Sequence, residues 1–426
     1  MKQGNHRIRC LPHYDGLSPA EAARRLRHLP GLVFFDSSGN LPSGRTAPVS
    51  ILAARPEKIL CGSIHQAADR SALRAVLARH PAAGIDCGFP LGGLCGWIDY
   101  DGRFVFGVYP EMLVYSHADA EWTALGGVAG ELCGNPSAAP PPRIGPVRAL
   151  SRRDEFIRAV RQAKEWIAAG DIYQVNLSQC FEARAEGDMF PLYERLRACS
   201  PSPMATWMSL GGRDVLCSSP ETFLRISGRR IETRPIKGTR PRFADPNLDR
   251  RSAYELQTSP KEIAELVMIT DLLRNDLGQV CEFGSVEVAA MLALEQFEQV
   301  HHLVSTVVGT LREDVDAVGA LAACFPGGSI TGAPKCRAME IIGTLESVPR
   351  GLYCGALGYF GFNGESQFNI VIRTAIRENN RLRYHVGAGI VADSSPEFEF
   401  EETLHKAEGI RRAIGEVGAD RIEIKL

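Results

Sequence analysis

The sequence predicts a protein of the α+β class, in which strand and helix patterns mix along the chain. Glycine turns between alternating apolar positions over 92–113 are typical of a β-meander, and residues 172–180 alternate apolar and polar side chains as a half-buried strand does. Apolar residues recur at helical spacing over 151–170, 259–277 and 396–417. The presence of both periods is the basis of the α+β assignment.

Composition excludes several classes of protein. The chain has 426 residues, enough for two or three domains, and its 45% hydrophobic and 23% charged residues are ordinary for a globular protein. A formal net charge of −2 gives no general attraction to nucleic acid or to anionic membranes. The N-terminus shows no signal peptide, and no apolar run is long enough to span a membrane. The twelve cysteines lack the spacing of a zinc site and are expected to be free thiols of a cytoplasmic protein.

Three regions are predicted along the chain. Residues 1–133 form an N-terminal segment of mixed structure, with a strand at 31–36 and a helix at 71–82. Residues 134–146 form a linker, because their proline density excludes a helix or a central strand. Residues 147–426 form the remaining, larger region.

The larger region starts with the helix at 151–170, which Gly170 is expected to end. A charged loop is predicted at 245–252, and either Thr258 or Ser259 can cap the helix that follows. Val267 is expected on the inward face of that helix. Strands are predicted at 215–218, 222–226, 286–294, 300–308, 353–360, 367–376 and 382–391.

The most unusual stretch of the chain is 232–242. It reads Glu-Thr-Arg-Pro-Ile-Lys-Gly-Thr-Arg-Pro-Arg and places one lysine, Lys237, among three arginines. Like-charged neighbours and partial burial both favour the uncharged form of an amine, so Lys237 is predicted to be a nucleophile near neutral pH. Gly238 would let the backbone approach another group closely. A solvated basic turn is the alternative for this segment alone.

Two pairs of glutamates share one spacing on two predicted helices. Glu262 and Glu265, like Glu399 and Glu402, are three residues apart, so each pair projects from one helix face, and Lys406 extends the second face. Bringing the pairs together would need a cation between them. Ligands that are all carboxylate oxygens suit a hard ion, and magnesium is the usual choice for binding an anionic substrate. Two solvated helix faces are the alternative.

Three further features carry groups that suit a binding site. The glycine-rich loop 326–335 opens a helix, so its backbone N–H groups could bind an anion, although it is not a P-loop. Arg373 lies in an apolar strand pattern and is expected either to meet an anion or to reach solvent. Tyr353 and Gly389, on neighbouring strands, could complete a carboxylate pocket. His302 is one of two adjacent strand histidines, of which one is expected to face the core and the other outward; it is either catalytic or simply hydrogen-bonded.

In this order the motifs closely resemble the chorismate-utilising enzymes, which include anthranilate synthases, aminodeoxychorismate synthases, isochorismate synthases and salicylate synthases. The resemblance is strong over 150–415 and looser before it. The matching stretches are Gly-Asp-Ile-Tyr-Gln-Val-Asn-Leu-Ser (170–178), Ser-Pro-Glu (219–221), Pro-Ile-Lys-Gly-Thr (235–239), Glu-Ile-Ala-Glu-Leu-Val-Met-Ile-Thr-Asp-Leu-Leu-Arg-Asn-Asp-Leu-Gly (262–278), His-Leu-Val-Ser (302–305), Gly-Gly-Ser-Ile-Thr-Gly-Ala-Pro-Lys (327–335), Ile-Arg-Thr-Ala (372–375) and Gly-Ala-Gly-Ile-Val-Ala-Asp-Ser-Ser-Pro-Glu-Phe-Glu-Phe-Glu-Glu-Thr-Leu-His-Lys-Ala (387–407).

The resemblance implies two packed, largely antiparallel β-sheets flanked by helices, with chorismate bound between the sheets and 147–426 as the chorismate-binding catalytic region. In this family anthranilate synthases carry alanine where this chain carries Lys237, and aminodeoxychorismate synthases carry lysine. The resemblance therefore implies conversion of chorismate to 4-amino-4-deoxychorismate, toward 4-aminobenzoate and folate, through a covalent bond to Lys237.

The resemblance also implies roles for individual residues. Lys237 would attack the ring, and Glu221 would protonate the departing 4-hydroxyl group. The magnesium ligands would be Glu262, Glu265, Glu399 and Glu402. The substrate-binding residues would be Thr239, His302, Tyr353, Arg373, Gly389 and Lys406.

Partners follow from the same resemblance. Ammonia would come from a separate glutamine amidotransferase subunit, because the family core is expected to reach nearly to Leu426. Family members often hold tryptophan in an N-terminal pocket, and the candidate segments here are 34–37 and 202–204, although Met204 stands where an aromatic residue is common. The alternatives are anthranilate synthesis and a non-catalytic subunit that binds chorismate or tryptophan.

Overall fold

The computed structural model describes residues 8–11, 14, 16–37, 49–80, 87–133, 140–297 and 299–415. None of the helices in these ranges is long and apolar enough to cross a membrane. The α-helices of these ranges are α1 Pro19–Leu26, α2 Ala67–Arg79, α3 Arg153–Ala168, α4 Phe190–Cys199, α5 Pro246–Gln257, α6 Pro260–Gly278, α7 Ala317–Cys324, α8 Lys335–Leu345 and α9 Pro396–Gly415.

The strands of the same ranges are, in chain order, β1 Ile8–Cys10, β2 Val33–Asp36, β3 Val49–Ala53, β4 Lys58–Ser63, β5 Gly93–Ile98, β6 Arg103–Tyr109, β7 Met112–Ser116, β8 Glu121–Leu125, β9 Arg143–Ile144, β10 Arg148–Ala149, β11 Gln174–Glu186, β12 Met204–Leu210, β13 Arg213–Ser219, β14 Thr222–Ser227, β15 Arg230–Arg234, β16 Ile236–Pro241, β17 Glu287–Gln296, β18 Val300–Thr310, β19 Gly332–Ala333, β20 Ala356–Gly361, β21 Ser366–Ile370, β22 Thr374–Glu378 and β23 Arg381–Ile390.

These strands form two antiparallel sheets. The first sheet runs β1-β8-β7-β3-β2-β12-β13-β22-β23-β11-β10, with β9 and β19 also paired to β11. The second sheet runs β16-β18-β15-β14-β21-β20-β5-β6-β4, with β17 also paired to β18. Strands from before residue 134 therefore join both sheets. The predicted division of the chain at 134–146 stays a prediction, and residues 134–139 lie outside the described ranges.

The two sheets pack face to face over shared apolar clusters. In one cluster Leu177 and Ala388 of the first sheet pack with Leu224 and Phe368 of the second. Helices cover the outer faces: α1, α4 and α9 pack on the first sheet, and α5 and α6 pack on β18 of the second. Burial of this apolar surface is the main stabilising contribution to such a layered fold. The predicted fold of two packed antiparallel sheets with helices is confirmed.

Two residues predicted to begin or end helices do so in the structure. Ser259 caps α6, since its hydroxyl accepts a hydrogen bond from the Glu262 backbone at 3.5 Å. Gly170, at φ +84°, lies just beyond α3 in the left-handed region that favours glycine. The predicted helix at 71–82 begins earlier, at Ala67, and its last two positions lie outside the described residues, as do 416–417 of the final helix.

Three local predictions are wrong. Residues 246–252 belong to α5 rather than to a loop, because Asp245 caps the helix through the backbone N–H groups of Asn247 and Leu248 and proline occupies the first turn. Val267 is exposed on α6. The single strand predicted at 367–376 is two strands, β21 and β22, that belong to different sheets.

Candidate active site

The chain crosses from one sheet to the other at two adjacent points that carry charged side chains. Glu221 lies between β13 of the first sheet and β14 of the second. Arg373, at φ +50°, lies in the break between β21 and β22. The crossovers are linked by hydrogen bonds, since the Glu221 carbonyl accepts from Ile370 N at 3.1 Å and the Arg373 carbonyl accepts from Ser218 N at 3.2 Å. Arg373 was expected inside a strand; the change of sheet places it beside Glu221 instead.

Glu221 is buried beside one hydroxyl group and two basic side chains. Its side chain is hydrogen-bonded to Ser329 of the glycine-rich loop and interacts electrostatically with Lys237 and Arg373. Burial raises the pKa of Glu221 despite these three favourable contacts, because it disfavours the charged carboxylate. A carboxyl group that keeps its proton to higher pH is suited to general-acid catalysis.

Lys237 reaches from the second sheet toward the first. It lies on β16 at a bulge, where Gly238 has φ +69°, and a Cβ at Gly238 would lie 3.1 Å from Glu262 Oε2. A Cβ at Gly389, on β23 of the opposite sheet, would lie 3.9 Å from Lys237 Nζ. The side chain is half-buried and its amine sits between the layers. The prediction that glycine allows a close backbone approach here is confirmed.

The charges around Lys237 differ from the predicted ones. Lys237 interacts electrostatically with the acids Glu221, Glu265 and Glu402. The three arginines of the segment are each paired with an acid: Arg234 with Glu295, Arg240 with Glu262 at 3.8 Å, and Arg242 with Asp249 at 2.9 Å. The sequence shows the four cations but not these acids, which come from distant elements.

Arg373 offers a cation to the site. Its guanidinium is half-buried and forms no hydrogen bond or ion pair with the residues that the structure describes, although it interacts electrostatically with Glu221. Burial lowers the pKa of Arg373, yet a guanidinium stays charged at any physiological pH. A desolvated cation without a fixed partner is suited to bind a carboxylate, which it can grip through two parallel hydrogen bonds.

The uncharged imidazole ring of His302 lines the site near Arg373. Burial, with smaller effects from Arg373 and His301, lowers the pKa of His302 to about 4, so the ring is uncharged at neutral pH. Its Nδ1 lies 3.0 Å from the hydroxyl of Thr239, which is exposed on β16. The expectation that one histidine faces outward is wrong: His301 is also buried, because α5 covers it and Asp249 lies 2.9 Å from its Nε2.

The opposite wall comes from β11, β23 and the turn before β20. Tyr353 lies in that turn rather than on a strand, and its buried hydroxyl would be 2.7 Å from a Cβ at Gly387. A Cβ at Gly389 would lie 2.3 Å from Nε2 of Gln174, so a larger residue there would require the Gln174 side chain to move. Gln174 is buried, and its Oε1 has no hydrogen-bond partner among the described residues. Gln174 was expected only on a solvated or pocket-lining strand face, and no sequence signal marked it as a neighbour of Lys237.

The four predicted glutamate ligands come together as an acid cluster. Glu262 and Glu265 are on α6, which packs on the second sheet, and Glu399 and Glu402 are on α9, which packs on the first. Lys261 Nζ lies 3.9 Å from Glu265 and 3.8 Å from Glu399, so the two pairs face each other across one ammonium group. Lys406 pairs with Glu402 at 2.7 Å and donates to the Gly387 carbonyl at 3.0 Å.

The donor set of the acid cluster suits a hard divalent ion, because all four side chains offer carboxylate oxygens. Burial raises the pKa of both Glu265 and Glu399. For Glu402, burial is outweighed by Lys406 and other lysines, and the pKa is lowered. As the side chains stand, no three His, Cys, Asp or Glu groups within the described ranges converge closely enough to hold a metal ion. The four carboxylates thus lie in one region, but their oxygens do not converge on a common metal position.

The glycine-rich loop supports the site rather than presenting its lysine to it. Lys335 bonds both oxygens of Asp276 at 2.8 and 2.7 Å and the Cys324 carbonyl at 3.1 Å, all in the interior. Its short strand β19 pairs with β11. The loop therefore holds Ser329 against Glu221 while Lys335 anchors it to α6.

A separate cavity of about 230 Å³ lies between the N-terminal strands and the second sheet. Both segments that the sequence suggested for a tryptophan pocket line it, through Phe35, Asp36, Ser37, Pro203 and Met204. Tyr359 and Arg225 lie in the same lining. The space is far larger than the ~15 Å³ that one water molecule needs.

Comparison with known proteins places these features in context. The sequence profile of the chorismate binding enzyme family matches residues 120–412. Anthranilate synthase component 1 of Methanothermobacter thermautotrophicus is 39% identical over 353 residues, which cover 78% of this chain and 76% of that protein. Aminodeoxychorismate synthase component 1 of Salmonella typhimurium is 46% identical over 258 residues, which cover 61% of this chain and 57% of that protein.

Solved structures show the same fold. The crystal structure of anthranilate synthase component I from Streptococcus pneumoniae superposes with a TM-score of 0.76 at 28% identity, covering 94% of this chain and 98% of that one. The menaquinone-specific isochorismate synthase of Escherichia coli superposes with a TM-score of 0.78 at 17% identity, over 96% of this chain and 94% of that one, which is a likeness of fold alone.

Proposed function

Because the chain belongs to the chorismate-binding enzyme family, we propose that it aminates chorismate to 4-amino-4-deoxychorismate, as component I of an aminodeoxychorismate synthase. The observation that carries this proposal is the half-buried amine of Lys237, which lies between the sheets beside the buried acid Glu221 and opposite Gly389. An amine so placed can serve as a nucleophile, and the neighbouring carboxyl group can protonate the group that leaves.

The first half-reaction joins the substrate to the enzyme. The unprotonated Nζ of Lys237 forms a bond to C2 of the chorismate ring, both ring double bonds shift toward C4, and the C4–oxygen bond breaks. Glu221 gives its proton to the departing hydroxyl group, which leaves as water. The raised pKa of Glu221 supports this role, since the proton is still present at neutral pH in a larger fraction of molecules.

The second half-reaction releases the product. Ammonia forms a bond to C4, both ring double bonds shift back, and the bond between C2 and Nζ breaks. The proton that the attacking ammonia loses replaces the one that Glu221 gave up. One ammonia enters and one water leaves in the complete cycle, and Lys237 ends as a free amine.

Chorismate carries two carboxylates, and the site offers two places for them. Arg373, with Tyr353 and the backbone at Gly389, is proposed to hold the enolpyruvyl carboxylate, because this guanidinium has no fixed partner among the described residues. The ring carboxylate is proposed to lie toward the acid cluster, whose four glutamates would hold magnesium. When bound, that ion supplies positive charge that offsets the repulsion between the ring carboxylate and the glutamates. Thr239, His302 and Lys406 would complete the polar lining.

Ammonia is proposed to come from a separate glutamine amidotransferase subunit. Support comes from the names of relatives, several of which are called component 1 and so imply a second component. Free ammonium at high concentration should then replace that subunit in an assay.

The product decides between this proposal and the second candidate, anthranilate synthesis, which the 39% identical archaeal relative favours. Purified protein is incubated with chorismate, magnesium and ammonium, and the products are separated by chromatography. 4-Amino-4-deoxychorismate supports the proposal, and anthranilate as the main product rejects it. Lys237→Ala should lose most of the first product, since alanine cannot form the covalent bond, and should give anthranilate if ammonia then attacks C2.

The cavity lined by Phe35, Ser37 and Met204 is proposed to bind tryptophan, with the aromatic rings of Phe35 and Tyr359 beside the ligand. A ligand that binds only the folded state raises the melting temperature, and the rise grows with the logarithm of the ligand concentration once the site is saturated. Tryptophan should therefore raise Tm, whereas alanine at equal concentration should not. No shift with millimolar tryptophan would reject this assignment.

A further inference from the structure

Lys261 is placed to connect the two halves of the acid cluster. It is the second residue of α6 and directly precedes Glu262. Its Nζ lies 3.9 Å from Glu265 Oε1 on the same helix and 3.8 Å from Glu399 Oε1 on α9. Its electrostatic interactions extend to all four glutamates of the cluster. One ammonium group therefore bridges carboxylates that belong to helices on different sheets.

The buried members of the cluster depend on this lysine. The Glu399 side chain is 1% exposed and that of Glu265 is 13% exposed. Among the described residues, the ion pairs of both are with Lys261 alone, although Ser394 also donates to Glu399 at 2.7 Å. A buried carboxylate is costly unless a cation or hydrogen-bond donors compensate its charge. Without a metal ion, Lys261 contributes to that compensation for both carboxylates, together with Lys237 at Glu265 and Lys406 at Glu399.

The contact is electrostatic and can be broken. Distances of 3.8 and 3.9 Å are within ion-pair range but too long for hydrogen bonds. The Lys261 side chain is 46% exposed, so its flexible stem has a route to solvent. The ring of Phe398, 6.0 Å from Nζ at the edge of the site, offers the ammonium a second position.

We propose that Lys261 is the internal counter-ion of the acid cluster, which occupies the place of the divalent ion and must leave when that ion binds. The inference rests on the proposed role of the four glutamates as magnesium ligands. It explains why no three carboxylates of the described residues converge in metal-ligand geometry: they are spaced around an ammonium group. The consequence is that the affinity for the ion is set by competition with a charge that is part of the chain.

The test compares Lys261→Met with Lys261→Arg in the full-length protein. Methionine keeps the length and apolar character of the stem but removes the charge, and arginine keeps the charge. Lys58→Met is the matched control, because it removes the same charge at an exposed site on β4. Binding of Mn²⁺, as a spectroscopic substitute for Mg²⁺, is measured by electron paramagnetic resonance, and thermal unfolding is followed in EDTA.

Lys261→Met should bind Mn²⁺ about tenfold more tightly, the order expected when one competing charge at this range is removed. The same variant should melt at a lower temperature in EDTA and recover when Mn²⁺ is added. Lys261→Arg and Lys58→Met should bind Mn²⁺ within about twofold of the wild type, given ordinary context effects on exposed charges.

Unchanged Mn²⁺ affinity in Lys261→Met would overturn the inference, as would equal tightening in Lys58→Met. Wild-type protein and Lys261→Met that both fail to take up Mn²⁺ would remove the metal site and this inference with it. The amination proposal is judged separately by its product: anthranilate would reject that proposal while leaving the competition between Lys261 and the ion standing.

Discussion

Glu221 and Arg373 lie on two of the segments that carry the chain from one sheet to the other, and their opposite charges interact at the point where these two segments meet. Each crossover is fixed by a backbone hydrogen bond to the strand that precedes the other. The acid and the guanidinium are therefore held by backbone geometry, so their side chains can be replaced one at a time without dismantling the fold.

Glu221→Gln should lower kcat by roughly 10²–10⁴-fold, because the amide fills the same space but cannot donate a proton to the leaving hydroxyl group. The KM for chorismate should change far less. Steady-state kinetics measure both constants, and circular dichroism checks that the variant folds. A variant that keeps more than half of the wild-type kcat would show that Glu221 is not the acid.

The pH dependence of kcat should report the same carboxyl group. Burial raises the pKa of Glu221, so the proton needed for general-acid catalysis persists to higher pH than in an ordinary glutamate. Activity should fall as the pH rises through this raised pKa, and the falling limb should be absent in Glu221→Gln. A limb that survives in that variant belongs to a different group.

Lys237 should be found joined to the substrate when ammonia is withheld. Wild-type protein mixed with chorismate and magnesium, then denatured and digested, should contain a peptide that carries the dehydrated substrate on Lys237. Lys237→Arg retains the positive charge but cannot form this bond, so it should bind chorismate without gaining mass. Mass spectrometry decides the matter, and an adduct on any other residue would contradict the mechanism.

Arg373→Met should raise the KM for chorismate by about 10–100-fold, the equivalent of losing one or two hydrogen bonds to a charged group. Arg373→Lys should recover only part of this loss, because an ammonium group cannot form the two parallel bonds of a guanidinium. The stability of both variants should be close to that of the wild type, since the guanidinium has no fixed partner among the described residues. Equal KM values for both variants and the wild type would place the substrate carboxylate elsewhere.

Lys335→Met should lower the free energy of unfolding by about 3–5 kcal/mol, because it leaves the nearly inaccessible carboxylate of Asp276 without its cation. Asp276→Asn in the same chain should restore much of that loss by removing the uncompensated charge. Urea denaturation measures both changes. The single variant should also lose kcat, since the loop that Lys335 anchors places Ser329 against Glu221.

Features that depend on local sequence could be predicted. The helical period predicts α3, α6 and α9 close to their observed ends, and Ser259, one of the two predicted candidates, is the cap of α6. The Asp245-Pro246 start of α5 carried the same type of signal but was masked by the charges around it. The chemistry of individual residues and the motif resemblance, rather than periodicity, pointed to the residues proposed for the site.

Features that depend on tertiary packing could not be predicted from the sequence. The spacing of Glu262 and Glu265 shows that they share a helix face, but not that α9 brings Glu399 opposite them or that Lys261 stands between. The acids around Lys237 come from three separate segments, so a prediction that considered only the neighbouring arginines described its charge environment incompletely. The break at Arg373 was invisible because its apolar neighbours fit one long strand equally well.

The residues of the candidate site are divided between the two layers of the molecule, which affects how activity can be lost. Lys237 and the pair Glu262 and Glu265 belong to the layer of the second sheet and α6. Gly389 and the pair Glu399 and Glu402 belong to the layer of the first sheet and α9. A shift of one layer against the other would separate Lys237, the proposed nucleophile, from Gly389 and the first glutamate pair from the second. Activity should therefore be lost at a lower denaturant concentration than the circular dichroism of the helices. The reason is that the two layers can shift relative to each other while the helices and strands of each layer stay folded.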